Sequence, residues 1–244
     1  MLQLPLNITL DSSATLDSFF VGLNDELIAK IQAYSNDEFY YNNTSHINET
    51  SINENNMLFI WGAEDSGKSH LAQATCQMFD KIADKTCVFL PLNNKEISHH
   101  ILEGLENIDL VCIDSLEFVR GDLEWQVSLF NLYNDLKDAN KKLIIFSKQS
   151  PSQIQLELAD LLSRLNSMPI YKLHKIDEQQ LVEFVQASGK NIGMEINVEV
   201  ANFLLSRSDR SVINLKNIIS KLDEQSLAHQ RRITIPFIKD ILDI

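Results

Sequence analysis

Beyond residue 56 the chain alternates short apolar runs with stretches in which apolar residues recur at helical spacing. The runs at 57–61, 87–92, 110–113, 143–146 and 170–173 are four to six residues long and rich in Val, Ile, Leu and Phe. Runs of that length and composition predict strands buried on both faces. Between them, Leu71, Thr75, Met78, Phe79 and Ile82 share one helical face, as do Trp125, Leu129, Leu132, Tyr133 and Leu136. Strand and helix in alternation predict an α/β domain, a parallel sheet sandwiched between helices. After residue 174 strand-like runs cease, and 177–190, 198–206, 212–227 and 235–242 read as amphipathic helices. The expected organisation is an extended tail over 1–10, an α/β domain over 11–173 and a small all-helical domain over 174–244. Residues 42–56 are polar and Asn-rich, a surface loop that interrupts the first domain without dividing it.

Composition narrows the function classes. With 244 residues and 44% hydrophobic content the chain can bury a full core, which excludes disorder along its whole length. The opening segment is broken by Pro5, Asn7 and Asp11, and no apolar run reaches eighteen residues. These features predict no secretory leader, no membrane span and a cytoplasmic protein. Cys76, Cys87 and Cys112 lie far apart in apolar segments, so their spacing suggests neither a disulfide framework nor a metal motif, and they read as small core residues. The net charge of −13 is uneven: residues 1–173 hold 12 basic and 24 acidic side chains, the remainder 9 and 10. An acidic surface repels phosphate backbones, which argues against direct sequence-specific DNA binding and for protein partners.

The most specific chemistry is at Gly62-Ala63-Glu64-Asp65-Ser66-Gly67-Lys68-Ser69, which fits G-x-x-x-x-G-K-[ST] between a predicted strand and a predicted helix. Glycines in such a loop let backbone N–H groups wrap phosphates at a helix N-terminus; Lys68 would neutralise β and γ oxygens and Ser69 would ligate Mg2+. The expected cofactor is ADP or ATP with Mg2+. Glu64 and Asp65 place carboxylates beside this loop and weaken phosphate binding unless they face solvent or pair locally. The run at 110–113 ends in Asp114, which reads either as the second Mg2+ ligand or as an aspartate that starts a turn. Many ATPases carry a second acid immediately afterwards to orient water. Here Ser115 stands there, with Glu117 two positions on, so self-catalysed hydrolysis is expected to be slow.

These residues resemble the DnaA-related family of AAA+ P-loop proteins over nearly the whole chain. Thr15 to Gly22 (TLDSFFVG) is similar to the segment lining that family's adenine pocket, which puts Phe20 and Val21 at the base. Residues 61–71 (WGAEDSGKSHL), 110–117 (LVCIDSLE) and 163–165 (SRL) resemble its phosphate loop, magnesium strand and arginine-finger segment. The closing stretch 231–239 (RRITIPFIK) resembles the family's regulatory branch, whose members switch off the replication initiator.

The resemblance implies a negative regulator of replication initiation. Arg164 would act in trans as an arginine finger that stimulates hydrolysis of ATP on the DnaA initiator. Gln3, Leu4, Pro5 and Leu6 resemble the family's short motif for the DNA polymerase III beta sliding clamp; on residues alone, Leu4 and Leu6 read as well as packing on their own domain. A homo-oligomer, specifically a dimer, is implied too. Two positions depart from the family: Ser147 and Lys148 occupy its polar or acidic sensor position, and Ile213 stands where a lid arginine reaches the nucleotide, with Arg210 three residues earlier as the substitute. The competing expectation is an autonomous AAA+ ATPase that loads or remodels replication proteins, and Ser115 is the residue that separates the two.

Overall fold

A computed structural model describes residues 10–35, 56–229 and 233–242. The clamp-motif residues Gln3, Leu4, Pro5 and Leu6, and all of the Asn-rich segment except Asn56, lie outside them.

The described chain divides into two compact units. One comprises residues up to Phe19 together with Asn24–His174; the other comprises Phe20–Leu23 together with the residues from Lys175 onward. In the first, five parallel strands are β1 (Met57–Trp61), β2 (Cys87–Pro91), β3 (Leu110–Asp114), β4 (Lys142–Ser147) and β5 (Ile170–Lys172), in the order β2-β3-β4-β1-β5. Helix α1 (Asp25–Ser35) precedes β1, α2 (Lys68–Asp80) joins β1 to β2, α3 (Leu123–Asp138) joins β3 to β4, and α4 (Ala159–Ser167) joins β4 to β5. The predicted runs therefore became strands, with five of their ten boundaries displaced by a single residue.

Side-chain alternation explains why the central strands read as unbroken apolar runs. Met57, Phe59, Val111, Ile113, Leu143 and Ile145 form one face of the sheet and share a core with Leu129, Leu132, Leu136, Leu161 and Leu165 from α3 and α4. The alternate residues Leu58, Ile60, Leu110, Cys112, Ile144 and Phe146 are buried toward the other face. There α2 packs on β2, β3 and β4 and buries Leu71, Ala72, Thr75, Cys76 and Phe79. Both faces being covered, no polar position interrupts the strands.

The second unit is helical: α5 (Leu181–Asn191), α6 (Val198–Arg207), α7 (Val212–His229) and α8 (Ile235–Leu242) surround Phe184, Val185, Ala201, Leu204, Leu222 and Ile238. The first of these helices begins four residues later than the periodicity suggests. Asp177 Oδ1 accepts the Gln180 amide at 2.9 Å, while Gln180 Oε1 accepts the Asp177 amide at 3.3 Å, a reciprocal cap that spends residues 178–180 on a turn. Asn197 caps α6 by accepting the Val200 amide at 2.9 Å. No described helix is long and apolar enough to cross a membrane.

Two of the three cysteines, Cys76 and Cys112, are buried as expected, and Cys87 is partly exposed. What their sequence spacing did not convey is that their sulfurs converge to within 4.8 Å of one another. Thiol donation from Cys112 and then Cys76 draws Cys87 down to about 5 against the opposing effect of burial.

Candidate phosphate-binding site

The site is built at the carboxyl ends of β1, β3 and β4. Gly62 follows β1 and its amide donates to Ser147 O at 3.1 Å, tying the loop to the end of β4. A Cβ there would lie 2.6 Å from Leu173 O and 2.7 Å from Ser66 Oγ, so only glycine fits. Asp65 (φ 60°) and Gly67 (φ 92°) then take left-handed backbone, which aspartate and glycine tolerate best, and α2 starts at Lys68. The Leu71 amide closes the first helical turn on Gly67 O at 2.9 Å.

Lys68 is 8% exposed and folds back over its own loop, where Nζ donates to Gly62 O at 2.8 Å, Ala63 O at 2.6 Å and Ser66 Oγ at 3.5 Å. Burial lowers its proton affinity, while the charges of Glu117 and Asp114 oppose that shift. Ser69, one residue on, donates its hydroxyl to Asp114 Oδ2 at 2.6 Å. Asp114 is 2% exposed, and burial holds its carboxyl above the ordinary range. Its second oxygen, Oδ1, is buried without a hydrogen-bond partner among the described residues.

Glu117 is nearer the site than its sequence position implied. Ser115 adopts left-handed backbone (φ 66°), and a 3-10 turn over Leu116–Val119 swings the chain back. Glu117 Oε2 thereby accepts the Ser147 hydroxyl at 3.3 Å and the Lys148 amide at 3.0 Å, and Oε1 is also buried without a partner among the described residues. Two buried carboxylate oxygens without donors among the described residues, on groups both close enough to Lys68 to affect its charge, form an acceptor-rich cluster of the kind a divalent cation would satisfy. Ser69 and Asp114 are joined directly, Glu117 lies beside them, and the oxygen donors of Ser69 and Asp114 would suit Mg2+.

The two acidic loop residues behave differently. Glu64 is exposed and its Oε1 lies 3.4 Å from Lys148 Nζ, so it both faces solvent and pairs locally. Asp65 is half-buried in its left-handed turn. On the amino-terminal side, Phe19 approaches the loop closely enough that a Cβ on Gly67 would meet its ring at 3.1 Å. The Phe19 ring also tilts against His70 at 5.6 Å, and His70 Nε2 sits 3.1 Å from Thr15 O. Phe20, expected at the base, packs edge-on against Phe184 at 5.8 Å within the helical unit, to which Val21 also belongs. Arg210, the expected lid substitute, donates to Glu178 at 3.1 Å and to Leu205 O at 3.1 Å in that same unit, while Ile213 is exposed.

Arg164 occupies the last turn of α4 and is exposed. Leu161 and Leu165 anchor the helix in the core, and the guanidinium rests against the Phe130 and Tyr133 rings of α3, 5.9 Å from each. No carboxylate pairs with it among the described residues. The buried side chain of Gln126 fixes where α4 begins: its Oε1 accepts the amides of Glu157 and Leu158, both at 2.9 Å, and its Nε2 donates to Val119 O and to the Glu157 carboxylate. Gln126 had no motif to betray it in the sequence, and Glu117 stood out there only as an acid two positions beyond the expected one.

A profile of the bacterial DnaA ATPase domain matches residues 10–168, and a profile of the Hda lid domain matches residues 177–242. Among solved structures the chain resembles domain III of the Thermotoga maritima replication initiation protein DnaA, at 21% identity and a TM-score of 0.70, over 96% of this chain and 98% of that one. It also resembles AMPPCP-bound DnaA from Aquifex aeolicus, at 19% identity and a TM-score of 0.70, over 90% and 68%. A Thermotoga maritima RuvB matches at 11% identity and a TM-score of 0.60, over 93% and 72%. At these identities the shared property is the fold, a five-stranded AAA+ sheet with a helical lid.

Proposed function

Since the chain belongs to the bacterial DnaA ATPase family and carries the lid domain of Hda, we propose that this DnaA-related replication regulator stimulates hydrolysis of ATP bound to the DnaA initiator and so leaves the initiator in its inactive ADP form. The observation that carries the reading is the contrast between two cations. Lys68 is enclosed in its own phosphate loop, whereas Arg164 is exposed in the last turn of a helix with its guanidinium against two rings.

A guanidinium delivered into a neighbour's ATP site stabilises charge on the transferring phosphoryl group and is worth about 10³ to 10⁵ in rate. Gln126 and the leucines of α4 hold that helix in place. On the chain's own side, the loop from Gly62 to Ser69 would hold ADP or ATP. Backbone N–H groups at the start of α2 would cradle its phosphates, and Lys68, now on the Gly62 and Ala63 carbonyls, would supply the positive charge. Ser69 and Asp114 would hold Mg2+, which when bound neutralises phosphate charge and draws on the unpartnered Asp114 oxygen.

The reading includes a cytoplasmic location and recruitment to the DNA polymerase III beta sliding clamp through Gln3, Leu4, Pro5 and Leu6, supported by the resemblance of those residues to a clamp-binding motif. It includes a dimeric assembly and no direct sequence-specific contact with DNA, in keeping with the charge of −13. Removing residues 1–6 tests the recruitment half: clamp pull-down should disappear while ADP binding stays unchanged, and clamp binding that survives the deletion overturns it.

One observation favours a second reading, an autonomous AAA+ ATPase. Glu117 lies close enough to Asp114 and Lys68 to act on their charges although Ser115 carries no acid, and its Oε1 has no partner among the described residues. Steady-state turnover by the isolated protein decides between them: rapid turnover abolished by Glu117→Gln supports the autonomous enzyme, and negligible turnover supports the regulator.

A further inference from the structure

Cys76, Cys87 and Cys112 come from three different elements and meet for a geometric reason. In the parallel register Cys87 pairs with Leu110 and Phe89 with Cys112, so alternation puts Cys87 and Cys112 diagonally adjacent on one face of the sheet. Helix α2 packs over that face and brings Cys76 down onto them, its Sγ 3.9 Å from Val88 O on the same strand as Cys87. All three sulfurs lie within 4.8 Å of one another. A metal–sulfur bond of about 2.3 Å sets sulfurs roughly 3.8 Å apart around a shared ion, so closure needs a movement of about 1 Å, within reach of small side-chain adjustments. Cys76 and Cys112 are 2% and 0% exposed, which excludes water from the inner side, and β2 is an edge strand whose Cys87 is partly open, which gives an entry path.

We propose that Cys76, Cys87 and Cys112 form a three-sulfur site for one thiophilic d10 metal ion, Cu+ or Zn2+, separate from the phosphate loop. Sulfur ligands without nitrogen select soft ions over Mg2+ or Ca2+. Cu+ is satisfied by three sulfurs, and Zn2+ would complete its tetrahedron with water on the Cys87 side. A bound ion offsets the charge of the thiolates it gathers, which would otherwise be costly to bury.

The test uses the full-length protein, reduced and stripped of metal, in native mass spectrometry and in competition with a chromophoric chelator for each ion, Cu+ and Zn2+ in separate arms. One ion per chain is expected in at least one arm, with affinity reduced about 100-fold or more in Cys87→Ser and in Cys76→Ala. Both variants should keep the wild-type thermal shift on adding ADP with Mg2+, which certifies their fold. Failure of both ions to bind overturns the proposal, as does undiminished binding in Cys87→Ser. So does a denatured-state thiol titration that finds one free thiol instead of three.

Discussion

Replacing Gly62 by alanine adds a single methyl group at the most crowded point of the phosphate loop. The new Cβ would sit 2.6 Å from Leu173 O and 2.7 Å from Ser66 Oγ. The serine hydroxyl can rotate away, but the carbonyl is backbone, and the Leu173 amide is itself bonded to Trp61 O at 2.7 Å. Relief therefore has to come from the loop. Overpacking of this kind costs about 1–3 kcal/mol, and for chains of this size each kcal/mol moves the melting temperature by roughly 2–4 °C, so a fall of roughly 2–12 °C is expected. The more diagnostic effect concerns ligand. A hundredfold excess of nucleotide over its Kd stabilises a protein by about 2.7 kcal/mol, and Gly62→Ala should lose most of that increment because the displaced loop no longer presents its amides. Gly104→Ala is the control, since its left-handed backbone (φ 83°) makes alanine cost about 1–2 kcal/mol although nothing lies within 4 Å of the added atom. Calorimetric melting of the three proteins with and without ADP and Mg2+ distinguishes them. A Gly62→Ala protein that melts like wild type and is stabilised equally by ADP would refute the reasoning.

Lys68→Ala removes charge-assisted bonds worth about 1.5–3 kcal/mol, so titration calorimetry should find ADP affinity lower by about 10- to 150-fold. At Asp109, burial pushes the carboxyl up, but Lys141 and the backbone and hydroxyl of Thr86 outweigh it and bring it from 3.8 to about 2. A depressed carboxyl stabilises the fold above its unfolded value and loses that contribution as pH falls through the folded one. The urea-midpoint advantage of wild type over Asp109→Asn should thus be constant from pH 7 to about 4 and shrink between about 4 and 2; an advantage that persists at pH 2 contradicts the assignment.

The fold was legible because its signals are local. Residues 57–61 are apolar throughout, the loop motif ends them, and helical spacing resumes at Leu71, so strand, turn and helix were each written within a few residues. The long amphipathic helices of the second unit were equally plain, and α8 has the bounds its periodicity gave. Less of the site was legible, because its remaining members arrive through backbone geometry. A serine in left-handed backbone is unusual, and nothing in Asp114-Ser115-Leu116-Glu117 announced that the turn at Ser115 would return Glu117 to the end of β4. The cysteines converge through strand register and helix packing, which spacing along one dimension does not encode. Arg210 was read against the position of Ile213; its ion pair with Glu178 depends on which residues the helical unit folds together.

Arg164 carries the central claim, and a single-turnover assay of DnaA-bound ATP in the presence of clamp, primed DNA and this protein tests it most directly. The wild-type chain should accelerate hydrolysis, and Arg164→Ala should return the rate to that of DnaA alone. The variant should also melt close to wild type, because the exposed side chain contributes two ring contacts and no ion pair among the described residues. An Arg164→Ala protein that still drives DnaA-bound ATP to ADP at the wild-type rate would contradict the account.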